Sequence, residues 1–319
     1  MNIVIALDPG FGNTKVCFDG QTSYCPSAVV HPRNIGLAGI GMKSHAKAHI
    51  VQVDGQEFAI GEGAWNHGQS ANGMDYIGLA SPARKALFFA NLANYLDPGA
   101  YAFEQLVVGL PVPLLMDNTQ AQVIFDRLKV LKDESVFVCD QGEYVFSFDK
   151  IKVLAQPVGA YADWLLDDDL QPRFNTRNLQ VAVLDIGMNT LDLYVFKGGK
   201  VTPKYVGGGK VGVRRLLHML DKSGGDLHEL DDDLRNRRLR PAKGELDQWL
   251  DEIFHEVEKY WPNLKQFDSV VPVGGGSALL GERLHLEMIG KGAIVNWPED
   301  PLLANVKGLW KWAAYELER

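Results

Sequence analysis

The sequence predicts an α/β protein of two related lobes that face one another across a cleft. Three observations predict it. The chain has 319 residues, and at about 150 residues per domain that length divides into two. A buried strand, an aspartate, a tight turn and a second strand occur as VIALDPGFGNTKVCF and recur as VAVLDIGMNTLDLYVF. The recurrence sets Asp8 on Asp185, Gly10 on Gly187, Gly12 on Asn189 and Lys15 on Asp192, which marks an internal repeat of one unit in two halves. Finally, a strand follows the first glycine turn, where a Rossmann or P-loop unit places a helix.

In chain order, residues 3–7 form a continuous, β-branched apolar run, read as a buried strand. Residues 8–13 turn, 14–18 alternate as a second strand, and Asp19-Gly20 signals a hairpin. Residues 31–75, rich in Gly and His with short strands at 50–53 and 57–60, read as a small inserted subdomain. A helical pattern covers 81–96, strands cover 106–110 and 145–153, and a helix opens on Gln156-Pro157 and runs to 166. Proline suits that first turn, where its missing N–H costs nothing. The second half reads as strand 181–184, turn 185–190 and strand 191–196, then Gly207-Gly208-Gly209 before a helix near 213–220. A helix over 245–260, a strand over 269–273 running into Gly274-Gly275-Gly276-Ser277, and a terminal helix over 302–317 complete the chain. Within the charged stretch 221–246, Asp231, Asp232 and Asp233 lie close to Arg235, Arg237, Arg238 and Arg240. That stretch is most simply a solvated face, and a contact in an assembly is the alternative.

Composition narrows the function classes. The chain is 46% hydrophobic and 23% charged, as ordinary globular proteins are, and it is long enough to need no disulfide or metal staple. Cys17, Cys25 and Cys139 are an odd number with no CxxC pair, so zinc and redox motifs fail and reduced cytosolic thiols are expected. A net charge of −8 argues against direct wrapping of nucleic acid. The segment MNIVIALDPG has no basic leader region, and no run approaches the ~18 apolar residues of a membrane span. The expectation is a cytoplasmic protein with no membrane contact.

The repeated turns suggest chemistry. Glycine lets backbone N–H groups approach phosphate oxygens as an anion-binding nest, and Lys15 adds a compact positive charge. Two carboxylates from opposite lobes, Asp8 and Asp185, can hold Mg²⁺, which keeps most of its waters and takes one or two carboxylates plus phosphate oxygens. Phosphoryl transfer asks mainly for positioning and charge neutralisation. The glycines at 274–276 would let backbone lie flat against a base or ribose, although a glycine-rich strand end is by itself most simply structural.

Taken together these motifs resemble the superfamily that joins actin, the Hsp70 chaperones and the sugar kinases, whose fold is the two-domain, ribonuclease H-like actin fold with a nucleotide cleft between the lobes. Asp8-x-Gly10-x-Gly12-x-x-Lys15 resembles its first phosphate motif, and 185–192 the second, in a wording closest to the bacterial and archaeal ParM (StbA)-like plasmid-segregation actins. Gln156-Pro157-Val158-Gly159-Ala160 resembles the first connecting segment, Val273 to Gly276 the adenosine motif, and Ala304-Asn305-Val306-Lys307-Gly308 the final connecting helix. The resemblance implies domain I over 1–155 plus 302–319, and domain II over 156–301 with a charged insertion at 221–260. It implies that Asp8 and Asp185 position Mg²⁺ through its waters, and that Gly10, Phe11, Gly12, Asn13, Lys15, Gly187, Met188, Asn189, Thr190, Gly208 and Gly209 surround the phosphates. Gly274, Gly275, Gly276 and Ser277 would meet the nucleoside, and Gln156 would orient the attacking water; its alternative is an ordinary helix start. Glutamine is a poor base, so slow hydrolysis is implied. Phe11 departs from the small or hydroxyl residue common in that turn, and must point away or pack on a neighbouring loop. The implied function is a filament-forming ATPase of head-to-tail subunits, with GTP as an alternative nucleotide and a DNA-bound adaptor as a partner. The other readings are a non-polymerising actin-fold adaptor and a small-molecule kinase of the sugar-kinase branch.

Overall fold

The aspartate-bearing hairpin found twice in the sequence is present twice in the fold. The structure is a computed structural model that describes residues 4–32, 48–71, 78–173, 175–221, 224 and 226–317. It divides into two units, Met1–Leu154 and Ala155–Arg319.

In the first unit, β1 (Val4–Pro9) is buried throughout and pairs antiparallel with β2 (Asn13–Phe18), in a register that sets Asp8 opposite Lys15. The chain turns through Asp19 and Gly20, both at positive φ, into β3 (Gln21–Pro26). Next come β4 (Val29–Pro32), β5 (His49–Val53), β6 (Gln56–Ile60), β7 (Gly68–Ser70), α1 (Pro82–Ala93) and β8 (Gly99–Leu110). The unit ends with α2 (Val112–Met116), α3 (Asn118–Leu128), β9 (Ser135–Cys139) and β10 (Gly142–Ala155). These strands form one sheet in the order β3-β2-β1-β8-β10-β9-β5-β6-β4-β7, with β8 parallel to β1. The expected insertion at 31–75 therefore includes strands that continue the main sheet; its residues 33–47 and 72–75 lie outside the described residues. Helix α1 starts where Ser81 Oγ accepts the Arg84 N–H at 3.4 Å and Pro82 occupies the first turn. It delivers Phe88 and Phe89 to a core of stacked phenyl and phenol rings, with Phe89 5.0 Å from Phe146 and Phe103 5.5 Å from Phe148. Such rings bury large areas and add specific pair geometry.

The second unit opens with α4 (Gln156–Leu165), then β11 (Gln180–Ile186), β12 (Leu191–Lys197), β13 (Lys200–Val201) and β14 (Gly207–Gly209). Helices α5 (Val213–Leu220), α6 (Leu227–Arg235) and α7 (Lys243–Tyr260) precede β15 (Ser269–Val273), and α8 (Gly275–Leu280), α9 (Glu282–Gly290) and α10 (Ala304–Leu317) follow it. The sheet order is β13-β12-β11-β15, with β14 also on β12. The hairpin β11–β12 is antiparallel, and β15 runs parallel to β11, as β8 does to β1. The repeat thus extends from the hairpin to its parallel neighbour. The charged stretch splits in two. Helix α6 buries nothing and carries surface pairs such as Arg235–Asp231 at 2.7 Å. Helix α7, by contrast, sinks Trp249, Ile253 and Phe254 into the core, beside Trp261 and Phe267.

One boundary differs from the expected division. Helix α10, expected to return to the first domain, packs on α4 inside the second unit. Gly159 and Gly308 cause the close crossing: a β-carbon on Gly159 would overlap the Asn305 carbonyl oxygen, and one on Gly308 the Gly159 carbonyl oxygen. The buried Lys311 locks the crossing, donating to the Leu166 carbonyl at 3.0 Å and pairing with Asp163 at 3.0 Å. Lys307 and Lys311 hold the Asp168 carboxyl below the usual range.

Candidate functional site

Each unit carries one half of the residues singled out by sequence. In the first, Asp8 ends a buried strand and accepts from Lys15 Nζ at 2.7 Å, a buried ion pair across the hairpin. The turn between them is tied down from one side by Ser27, whose hydroxyl donates to the Gly10 carbonyl at 2.6 Å while its N–H donates to the Gly12 carbonyl at 3.0 Å. Thr14 Oγ1 meets Ser27 Oγ at 3.0 Å. In a trans peptide the N–H points opposite to the C=O, so the N–H groups of Phe11 and Asn13 point away from Ser27. Gly10 is required here because a β-carbon would lie 2.7 Å from the Asn13 carbonyl oxygen. The Phe11 ring packs against the core, 5.7 Å from the Arg84 guanidinium carbon, so the departure at this position is absorbed by packing.

The second turn is built on the same plan from different parts. The Gly187 N–H donates to the Thr190 carbonyl at 2.8 Å, closing the turn. The start of α5 then takes its outward carbonyls: Val213 N–H donates to Gly187 O at 3.0 Å and Arg214 N–H to Met188 O at 2.8 Å. The N–H groups of Met188 and Asn189 therefore point away from α5. Gly212 permits this approach, since a β-carbon there would sit 2.6 Å from Gly187 O and 2.7 Å from Met188 O. Gly208 lies in β14 opposite Asp192, and Gly209 opposite Leu191. Gly274, at φ 89°, backs directly onto Asp185, where any side chain would overlap the carboxylate. Gly276 packs on Ile186, Gly275 opens α8, and Ser277 is fully buried inside it. Gln156 is buried at the first position of α4.

The second half-site also holds a carboxylate pair. Asp192 stands opposite Asp185 in the β11–β12 register, where the first unit has Lys15 opposite Asp8. Asn305, from α10, donates its Nδ2 to Asp185 Oδ2 at 2.7 Å, and Thr190 Oγ1 donates to Asp192 Oδ2 at 2.9 Å. Asp192 Oδ1, Asn189 Oδ1 and Asn305 Oδ1 are buried with no hydrogen-bond partner. All three are acceptors, and with Asp192 opposite Asp185 their chemistry suits the waters of a divalent cation. Among the described residues no group of three or more His, Cys, Asp or Glu could hold a metal directly, and any such ion would bind through its own waters. Asp192, Asn305, Ser27 and Gly212 were not assigned to the site from sequence. Asp192 and Asn305 lie within quoted motifs, whereas Ser27 and Gly212 act through backbone contacts that leave no pattern.

Burial, and then the neighbouring Asp185 carboxylate, push Asp192 up to about 7 against the opposing effect of the Thr190 hydrogen bond. A carboxyl whose value is raised in the fold is best tolerated protonated. Its contribution to stability is full below the ordinary value near 4 and is lost as pH rises through about 7. Asp192→Asn removes that cost. The variant is expected to exceed the parent in stability at pH 8 by up to ~4 kcal/mol, with the two converging near pH 4.5. Urea midpoints at both pH values measure it, and a constant offset would show that ionisation is not the cause.

Residues 6–159 match the protein family described as the N-terminal domain of actin-like proteins. No curated protein matches the chain by sequence. Solved structures that share its fold include a non-polymerisable quadruple mutant of pCBH ParM, at TM-score 0.75 and 18% identity over 98% of this chain and 99% of that one. An archaeal actin homologue, Ta0583, in complex with ADP has TM-score 0.71 and 20% identity over 98% and 99%. The subunit of a 15-stranded ParM filament from Clostridium botulinum has TM-score 0.70 and 17% identity over 98% and 99%. Among the described residues no helix is long and apolar enough to cross a membrane. The chain thus has the actin-like fold, and its residues 6–159 are similar to the N-terminal domain of actin-like proteins.

Proposed function

We propose that this protein is a cytoplasmic ATPase that binds Mg²⁺-nucleotide through its phosphate turns and assembles into head-to-tail filaments. One observation carries the reading. Two unrelated supports, Ser27 and the start of α5, pin carbonyls of corresponding turns and leave the adjacent N–H groups pointing the other way, beside Asp8 and Asp185. Backbone N–H groups turned out from a glycine turn are an anion site, and repeating that arrangement beside a carboxylate suits a polyphosphate with its cation. When bound, Mg²⁺ supplies charge neutralisation at the phosphates. Lys15 adds positive charge from its buried pair, and Gln156 orients the attacking water. Assembly is supported by the filament-forming proteins among the structural relatives. A role in moving plasmid DNA, through a DNA-bound adaptor, follows from the ParM-like wording of the motifs. GTP is a second nucleotide to test.

The experiment is light scattering on the purified protein. Above a threshold concentration, Mg²⁺-ATP is expected to raise the signal, which then decays as ATP is consumed. A non-hydrolysable analogue holds it high, because the assembling state persists while nucleotide stays intact. Intact ATP binding without any rise would replace the filament by a non-polymerising adaptor.

A further inference from the structure

We propose that Lys210 is the phosphate-binding cation of the second turn, its ammonium group pairing with the phosphate chain of a nucleotide that meets the Met188 and Asn189 N–H groups. This rests on the nucleotide reading above and adds a residue to it. The two turns differ in charge. In the first, Asp8 faces Lys15 across the hairpin, so the carboxylate has a positive charge beside it. In the second, the corresponding row across the sheet runs Val273, Asp185, Asp192, Gly208 and holds no cation. Two carboxylates repel a phosphate while they attract its metal, so a phosphate chain at this turn is favoured by a positive charge close by.

Strand β14 brings one. Gly208 lies opposite Asp192 and Gly209 opposite Leu191, so Lys210, the next residue, comes level with Thr190 of the turn. Just beyond, the chain is fastened to the same turn: Val213 and Arg214 donate to Gly187 O and Met188 O, and Gly212 lies against both carbonyls. Lys210 is thus held between two attachments to the turn, at most about 7 Å from Gly212 along the chain. Its face is set as well. β-Carbons at Gly207 and Gly209 would point at Tyr260 and Glu256 of α7. Leu191 and Leu193 join the core with Trp249 and Ile253 of that helix, which leaves Asp192, between them, on the other face. Side chains alternate along a strand, so position 210 continues the face of Asp192 and Asp185, the side away from α5 to which the Met188 and Asn189 N–H groups turn. Lys210 is exposed and has no ion-pair partner among the described residues. The charges around it are placed otherwise. Arg215 pairs with Glu252 at 2.7 Å, Glu256 on the α7 side pairs with Lys259, and Arg214 starts behind the turn, on its carbonyl side. A lysine, a compact charge on a flexible stem, suits a phosphate in this position.

Calorimetric titration of ADP and ATP, each with Mg²⁺, into the full chain and three variants tests this. Lys210→Gln removes the charge and Lys210→Arg keeps it. Lys200→Gln removes the charge of an exposed lysine at the far end of β12. Lys210→Gln is expected to raise Kd about tenfold for both nucleotides, the loss of one charge-assisted hydrogen bond. Lys210→Arg should stay within about twofold of the parent, and Lys200→Gln should match it. Added KCl should weaken the parent more than Lys210→Gln, because a contact between exposed charges is screened. The melting temperatures without nucleotide should agree, since Lys210 touches no core. Parent-like affinity in Lys210→Gln, an equal loss in Lys200→Gln, or a loss that follows a lowered melting temperature would each overturn the role of Lys210 while nucleotide binding stands. A parent that binds neither nucleotide would overturn the reading of the site, and this contact with it.

Discussion

Asp185→Ala is expected to abolish nucleotide hydrolysis while leaving the second unit folded. Asp185 ends β11 beneath the second turn, accepts from Asn305 and faces Asp192. On the proposed function, removing it withdraws one of the two carboxylates proposed to position the cation, and loss of one preorganised charge-stabilising group costs on the order of 100-fold or more in rate. The fold should tolerate the change, because the like charge facing Asp192 disappears with it and Asp192 ionises more easily. Asn305 loses its acceptor, which contributes roughly 1–2 kcal/mol of destabilisation. Phosphate release, measured beside nucleotide binding and a melting curve, separates these effects. Hydrolysis at the parent rate with the fold intact would mean that the site has been placed wrongly.

Gly308→Val is expected to cost at least about 3 kcal/mol of stability. Helices α4 and α10 cross with backbone against backbone, so the new side chain would meet the Gly159 carbonyl and the Asp163 N–H, neither of which can rotate aside. Relief requires α10 to move as a body. That movement withdraws Asn305 from Asp185 and Lys311 from Asp163 and the Leu166 carbonyl. A buried lysine without its partners is costly, so the change propagates from one glycine to the carboxylate of the site. For a unit of this size the melting temperature should fall by roughly 6–12 °C, and nucleotide affinity should fall with it. Gly244→Ala is a control in open space on α7, and Gly308→Val melting together with it would contradict the crossing as described.

Much of the fold was legible because its signals are local. The strand–turn–strand repeat, the Pro157 helix start and the apolar strands ending at Leu110 and Val273 all write their structure within a few residues. The aspartates and glycine turns were legible for the same reason. Ser27 was not, since it supports its turn from fifteen or so residues away through two backbone carbonyls. Gly212 gave no signal because its role is to lack a side chain where α5 meets the second turn. The end of the chain was assigned to the first domain by resemblance, whereas its contacts are set by Gly159 and Gly308, a long-range pairing that periodicity does not reveal. Asp192 was read as the counterpart of Lys15, but the carboxylate pair this creates emerged only with the strand register.

The two units also differ in what they absorb and emit. The aromatic rings in the core of the first are phenylalanine and tyrosine, while six of the seven tryptophans, all but Trp65, fall in the second. Trp249 and Trp261 are fully buried there, and Trp297 stands in the wall of a cavity beside α9. Intrinsic tryptophan emission therefore follows the second unit almost alone, and the near-ultraviolet dichroism of phenylalanine, with ten of its fourteen residues in the first unit, is weighted towards the first. Unfolding one unit before the other would separate these two optical signals without a label, and a partner seated against Trp297 would announce itself as a change in colour.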